Sequence, residues 1–258
     1  MSKYELTVSD IEIGIKRFLA EAYATATVSE KPELIFISAG PGAGKTTLET
    51  FFKKRFKDRG ERIFEVSSDK IAMYHPQYEE AIEELPDVCY NITRQFVRPA
   101  TPKIMNELME HNISILNEKT FNKGTADVEQ IKEFKKNGYK IVSNILATDI
   151  FESRLSCFER EARMLMSGLT PRGCSKENQL RMYNSFIRGI HELENNDLLD
   201  ELNVFIRGEN INKPPILKYS KDSKQYANFE EALNTERMIQ RKKILSNPSR
   251  IFFKNRKC

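Results

Sequence analysis

The chain has 258 residues, 40% hydrophobic and 30% charged, with ten prolines, eleven glycines and no tryptophan. That is enough apolar material to bury one sizeable core, and it excludes an intrinsically disordered chain and a disulfide-stapled miniature. The net charge of +4 is unevenly spread: eight basic and no acidic residues lie between Arg237 and Cys258, which leaves the rest of the chain with 33 basic against 37 acidic side chains. A slightly acidic body thus carries a basic tail.

In chain order, Val8 to Tyr23 reads as a helix opened by Ser9 or Asp10 as cap. Short apolar runs at Leu34–Ser38, Arg62–Val66, Ile113–Leu116, Lys140–Ala147 and Leu202–Ile206 read as strands. Between them, Thr46–Arg59, Pro102–His111, Val128–Asn137, Ile150–Met166 and Lys176–Asn195 have helical periodicity. Alternation of this kind predicts an α/β fold, a parallel sheet of about five strands with helices on both faces. In the segment from Ile150, Leu155, Phe158, Ala162, Leu165 and Met166 recur at three- and four-residue steps and predict one buried stripe. Arg160 lies about 200° from Phe158 and falls off that stripe. Lys213-Pro214-Pro215 breaks the chain before a short apolar run, Ile216–Tyr219, and a helix over Phe229–Leu245 leads into the tail. Four cysteines (Cys89, Cys157, Cys174, Cys258) without a CxxC pair read as reduced thiols of a cytoplasmic protein, not as a zinc site. The amino terminus has charges inside every apolar stretch, so neither a signal peptide nor a membrane span is expected.

The strongest motif is Ala39-Gly40-Pro41-Gly42-Ala43-Gly44-Lys45-Thr46, a P-loop with alanine in place of the usual first glycine. Wrapping a polyphosphate takes backbone N–H groups at close range, which glycines permit and the positive end of the following helix reinforces. Gly40, Pro41, Gly42, Ala43, Gly44, Lys45, Thr46 and Thr47 are therefore the expected ATP contacts. Lys45 is expected at the β- and γ-phosphates and the Thr46 hydroxyl on Mg²⁺. A Thr/Asn-Lys-x-Asp guanine-reading motif is absent, because Asn117-Glu118-Lys119-Thr120 lacks the aspartate; ATP is the better fit. The predicted division is a helical segment over 1–30, a P-loop kinase domain over 31–220, and a helical, basic extension over 221–258.

Asp69 closes the second predicted strand, where ligands bind in open α/β sheets. There it serves either as a general base taking the proton of an acceptor hydroxyl or as the cap of the next helix. Glu118 ends the third strand as a Walker B-like acid, suited to Mg²⁺ or to the acceptor.

Gly40-x-Gly42-x-Gly44-Lys45-Thr46, Asp69 with His75-Pro76-x-Tyr78, Glu118-x-Thr120, Glu159-Arg160 and Thr170-Pro171-Arg172, in that order, resemble the zeta toxin family, the P-loop kinase toxins of bacterial toxin–antitoxin systems. The resemblance implies a kinase acting on UDP-N-acetylglucosamine or a related UDP-sugar, with ATP and Mg²⁺ held by Lys45 and Thr46. It implies Asp69 as the base, Arg160 and Arg172 closing on the phosphates, and Lys70, His75, Glu118 and Thr120 on the acceptor side. It also implies an antitoxin partner. The departures fall on that acceptor side. Ser67-Ser68-Asp69 stands where the family has Asp-x-Asp, Pro102 where it has a glutamate, and Lys119-Thr120-Phe121-Asn122-Lys123-Gly124 is bulkier and more basic than the family's Gly-Thr. Two other functions fit the same residues: a polynucleotide kinase that uses the basic tail and Ile251-Phe252-Phe253 on nucleic acid, and a non-catalytic ATP-binding partner module.

Overall fold

The computed structural model describes residues 3–85, 88–121, 124–168, 175–210 and 213–246. In chain order its elements are α1 (Val8–Thr25), β1 (Glu33–Ser38), α2 (Lys45–Asp58), β2 (Phe64–Val66), α3 (Ser68–Ala72), α4 (Tyr78–Glu84), α5 (Cys89–Glu110), β3 (Ile115–Glu118), α6 (Thr125–Lys136), β4 (Lys140–Leu146), α7 (Ile150–Met166), α8 (Lys176–Tyr183), α9 (Ile187–Asn195), β5 (Glu201–Ile206), β6 (Ile216–Ser220) and α10 (Phe229–Ser246). The strands form one sheet in the order β2-β3-β1-β4-β5-β6. All six residues of β1 are buried, as a strand covered on both faces requires. Among the described residues the sheet has six strands, where about five are predicted. The sixth, β6, pairs antiparallel with β5 through a register shift at Val204/Phe205. Among the described residues no helix is long and apolar enough to cross a membrane.

The chain divides into two compact units, neither of them continuous in sequence. One comprises residues 1–36, 53–118 and 131–141, the other 37–52, 119–130 and 142–258. In the first, α1 and α3 pack on α5. The fully buried Phe18 meets Phe64 and Tyr74 edge-on, with ring centroids 5.4 and 5.1 Å away. The cap of α1 is Thr7, not Ser9 or Asp10: its hydroxyl accepts from the Asp10 N–H, and the Asp10 carboxylate accepts from the Thr7 N–H, a reciprocal capping box. Helix α5 begins at Cys89, well before the predicted Pro102, and runs through Pro99 and Pro102. Both prolines are exposed, as are Gln95 and Arg98, so the carbonyls the prolines leave unpaired four residues back face water.

In the second unit β4 and β5 run parallel, and α10 packs on β5 and β6. The helix predicted over Lys176–Asn195 is two, broken between Tyr183 and Ile187. Arg237 of α10 explains the break: its Nη2 donates to the Tyr183 carbonyl (2.9 Å) and its Nη1 to Asn184 Oδ1 (2.8 Å).

Candidate active site

The P-loop lies wholly within the second unit and leads from β1 directly into α2. Gly42 (φ +69°) and Gly44 (φ +98°) sit in the left-handed region, which glycine enters without a steric penalty. Space restricts them as well. A Cβ on Gly42 would lie 2.3 Å from the Ser153 carbonyl oxygen and 2.7 Å from Cys157 Sγ, and one on Gly44 would lie 3.0 Å from Arg207 Nε. Lys45 Nζ folds back to the Gly40 carbonyl (3.4 Å), and Thr46 is exposed in the first turn of α2.

Helix α7 is the loop's main support, and its buried face is not the predicted one. Phe158, Leu165 and Met166 are 50, 62 and 84% exposed, whereas Ser153 and Cys157 are buried. The small residues win because the loop backbone has to approach closely. Ser153 Oγ donates to the Pro41 carbonyl, and Gln179 Nε2 of α8 donates in turn to Ser153 Oγ (2.9 Å). At 100° per residue Arg160 returns to within 20° of Ser153, so it lies on the loop-facing side, one turn beyond Cys157. Burial pushes the Cys157 thiol up, and the charges of Arg160, Arg154 and Lys45 oppose that shift.

Sequence reading missed two further supports. Thr148, just after β4, donates its hydroxyl to the Ala43 carbonyl (2.9 Å), and Arg207, just after β5, reaches the Gly42 and Ala43 carbonyls. Residues that follow strands of a parallel sheet are where such contacts are to be sought, but no motif flags them.

Within the first unit, Ser67 caps α3 by accepting from the Lys70 N–H. Asp69 is thus not the cap; it is an exposed carboxylate in the first helical turn. Lys70 pairs with Glu21 of α1 (2.9 Å) and lies 4.0 Å from the Phe64 ring centroid, and the Tyr74 hydroxyl also donates to Glu21. His75, expected on the acceptor side, is only 2% exposed. Its Nδ1 accepts from the Gln77 N–H (3.1 Å) and its ring meets Phe96 edge-on at 6.2 Å, so it braces the turn before α4. Glu118, half-buried, ends β3.

The basic segment after Glu118 belongs to the second unit. Lys119 Nζ binds Asp127 Oδ1 (3.0 Å) and Gln130 Oε1 (2.8 Å) of α6. Phe121 (φ +47°) packs so tightly on α9 that a Cβ on Gly189 would lie 2.3 Å from its Cβ. Thr120 is half-buried. Arg172 and the rest of Thr170–Gly173 lie outside the described residues, as do Asn122 and Lys123. Among the described residues no cluster of three or more His, Cys, Asp or Glu could hold a metal. Mg²⁺ can be held by one hydroxyl beside phosphate oxygens and water, and the exposed Thr46 hydroxyl fits that part. The glycine cradle likewise fits a polyphosphate.

A family model for zeta toxins matches residues 19–213. The toxin PezT of Streptococcus pneumoniae serotype 4 (strain ATCC BAA-334 / TIGR4) is 22% identical over 208 residues, 80% of this chain and 81% of the relative. Among solved structures, that of the PezAT chromosomal toxin–antitoxin system of Streptococcus pneumoniae superposes with a TM-score of 0.76 at 18% identity, covering 96% of this chain and 97% of that one. AvrRxo1-ORF1:-ORF2 with ATP gives a TM-score of 0.55 at 12% identity, covering 82% of this chain and 67% of that one. With three-quarters of its length matched by the family model, from the end of α1 to just before β6, this chain belongs to the zeta toxin family.

Proposed function

We propose that the chain is an ATP-dependent kinase that transfers the γ-phosphate to a hydroxyl of UDP-N-acetylglucosamine or a related nucleotide-activated metabolite. The observation that carries this reading is the P-loop, with two left-handed glycines and three outward-bound carbonyls. Residues Gly40 through Thr47 hold the triphosphate through the backbone N–H groups of all but Pro41 and through the Lys45 and Thr46 side chains. Mg²⁺, when bound, neutralises charge on the β- and γ-oxygens.

Asp69 accepts the proton of the acceptor hydroxyl as its oxygen forms the new bond to phosphorus. The bond between phosphorus and the bridging oxygen breaks, and ADP leaves with that electron pair. Arg160, with Arg172, stabilises the charge on the equatorial oxygens. Glu118 and Thr120 orient the acceptor or its metal, while Lys70 and His75 act as the braces of the turn beside Asp69. An antitoxin partner is part of this reading, supported by the toxin–antitoxin system named for the solved relative.

The test is transfer from labelled ATP to a panel of UDP-sugars, nucleotides and oligonucleotides. Asp69→Asn should leave ATP binding intact and abolish transfer, and Lys45→Ala should weaken both. Unchanged turnover in Asp69→Asn would sink the mechanism, and preference for an acceptor without a UDP group would sink the substrate class.

A further inference from the structure

The guanidinium of Arg207 is spent on the back of the P-loop. Its Nε donates to the Ala43 carbonyl (2.9 Å) and its Nη2 to the Gly42 carbonyl. Its Nη1 is held in turn by Ser156 Oγ (2.9 Å) and Glu152 Oε1 (3.3 Å) of α7. Together with Ser153 on the Pro41 carbonyl and Thr148 on the Ala43 carbonyl, three consecutive carbonyls are bound on the side of α7 and the end of β5.

In a trans peptide the carbonyl of one residue and the N–H of the next point in opposite directions. Binding the carbonyls of Pro41, Gly42 and Ala43 therefore turns the N–H groups of Gly42, Ala43 and Gly44 to the other side, as an anion-binding nest demands. The Ala43 N–H makes one long contact there, to the Gly40 carbonyl at 3.3 Å. Arg207 binds two of these three carbonyls, sharing that of Ala43 with Thr148. A planar fork can do so where a lysine ammonium has no comparable geometry.

We propose that Arg207 is a positioning residue for phosphoryl transfer, holding the P-loop amides toward the triphosphate before nucleotide arrives. The proposal rests on the nucleotide reading of the loop given above. It predicts an arrangement present in the nucleotide-free protein, so its test does not depend on turnover.

The experiment compares full-length wild type, Arg207→Ala, Arg207→Lys and Arg188→Met, the last removing an exposed arginine whose Nε pairs with Glu192 on α9. Amide hydrogen exchange is followed across residues 39–46 without nucleotide, and affinity is measured for ATP and for inorganic triphosphate. Arg207→Ala should exchange roughly tenfold faster in the loop, with 33–38 unchanged, and bind both ligands roughly ten- to a hundredfold more weakly, the scale of two lost charge-assisted hydrogen bonds. Arg207→Lys should recover only part of that loss, ethylguanidinium added to Arg207→Ala should restore some of it, and Arg188→Met should behave as wild type. If Arg207→Ala does not fold, Arg207→Gln is read by the same two measurements. Loop exchange unchanged from wild type, or ATP affinity within twofold of it, overturns the proposal. A wild type that binds neither ligand, with loop exchange still accelerated in Arg207→Ala, overturns the nucleotide reading alone and supports the holding role.

Discussion

Gly42→Ala tests whether the P-loop is pressed onto α7 as closely as the structure places it. Two costs add. Alanine in the left-handed region is unfavourable by roughly 1–2 kcal/mol. Its Cβ would also stand 2.3 Å from the Ser153 carbonyl oxygen and 2.7 Å from Cys157 Sγ, an overpacking that costs roughly 1–3 kcal/mol. Neither neighbour can yield easily, because one is helix backbone and the other is buried. The sum, about 2–5 kcal/mol, corresponds to a fall in Tm of roughly 5–15 °C for a chain of this size. Gly60→Ala supplies the reference: Gly60 also has a positive φ (+76°), but a Cβ there meets nothing within 4 Å, so only the backbone cost applies. Thermal unfolding of both variants, with binding of a fluorescent ATP analogue, separates the two costs. A Gly42→Ala variant no less stable than Gly60→Ala refutes the close contact between loop and helix.

Burial holds His75 below its ordinary pKa of 6.5, against a weaker opposing effect of Asp10. The unfolded chain therefore binds a proton at a higher pH than the fold does. The stability this residue contributes is complete above about 6.5 and is lost as pH falls through the folded value. Urea midpoints measured from pH 7 to 5 should drop more steeply in wild type than in His75→Asn; parallel slopes would show that His75 is not the titrating group. Arg237 is 5% exposed, donates two hydrogen bonds and stacks 3.7 Å from the Tyr183 ring centroid, and burial lowers its pKa to about 10. Arg237→Ala should cost roughly 3 kcal/mol, read as a lower denaturant midpoint, and a loss under 1 kcal/mol would mean that this contact does not hold α8 to α10.

Buried strands and long helices were legible because their residues carry the pattern themselves. All six residues of β1 are buried, and the apolar run Leu34–Ser38 announces it. Strand β6 was not legible because Ile216 and Leu217 are 42 and 50% exposed, so no alternation separates it from a loop that follows two prolines. The break between α8 and α9 depends on Arg237, more than fifty residues away, and no local signal records it. The prolines of α5 misled in the opposite direction: read locally they start a helix, but on an exposed face they do no more than remove two hydrogen bonds that water replaces.

In the site, the phosphate-binding loop was legible because its glycines are demanded by backbone geometry, whereas the side chains that orient it were not. Helix α7 is the instructive case. Hydrophobic periodicity selected Phe158, Leu165 and Met166 as its core stripe and set Arg160 away from it, yet the face that meets the loop is built on Ser153 and Cys157. Small residues score weakly in any hydrophobic pattern, and they are what a close backbone approach requires. Arg160, within 20° of Ser153, therefore lies on the same side of α7 as the face that meets the loop, not away from it as the hydrophobic stripe predicts.

The basic tail changes in the same way. Of its eight basic residues, Arg237 is buried against Tyr183 and Arg241 pairs with the fully buried Asp149 at 3.0 Å, and Asp149 caps α7 through the Phe151 N–H. Gln240 binds the same corner, donating to the Ala147 carbonyl and accepting from the Asp149 N–H. The start of the tail is thus a clamp on the helix that supports the P-loop, and its first two cations are committed to protein partners. Arg250, Lys254, Arg256 and Lys257 lie outside the described residues. Removing the chain from 237 onward would dismantle that clamp along with any nucleic-acid contact, so a truncation meant to isolate binding by the tail has to begin after α10, at residue 247.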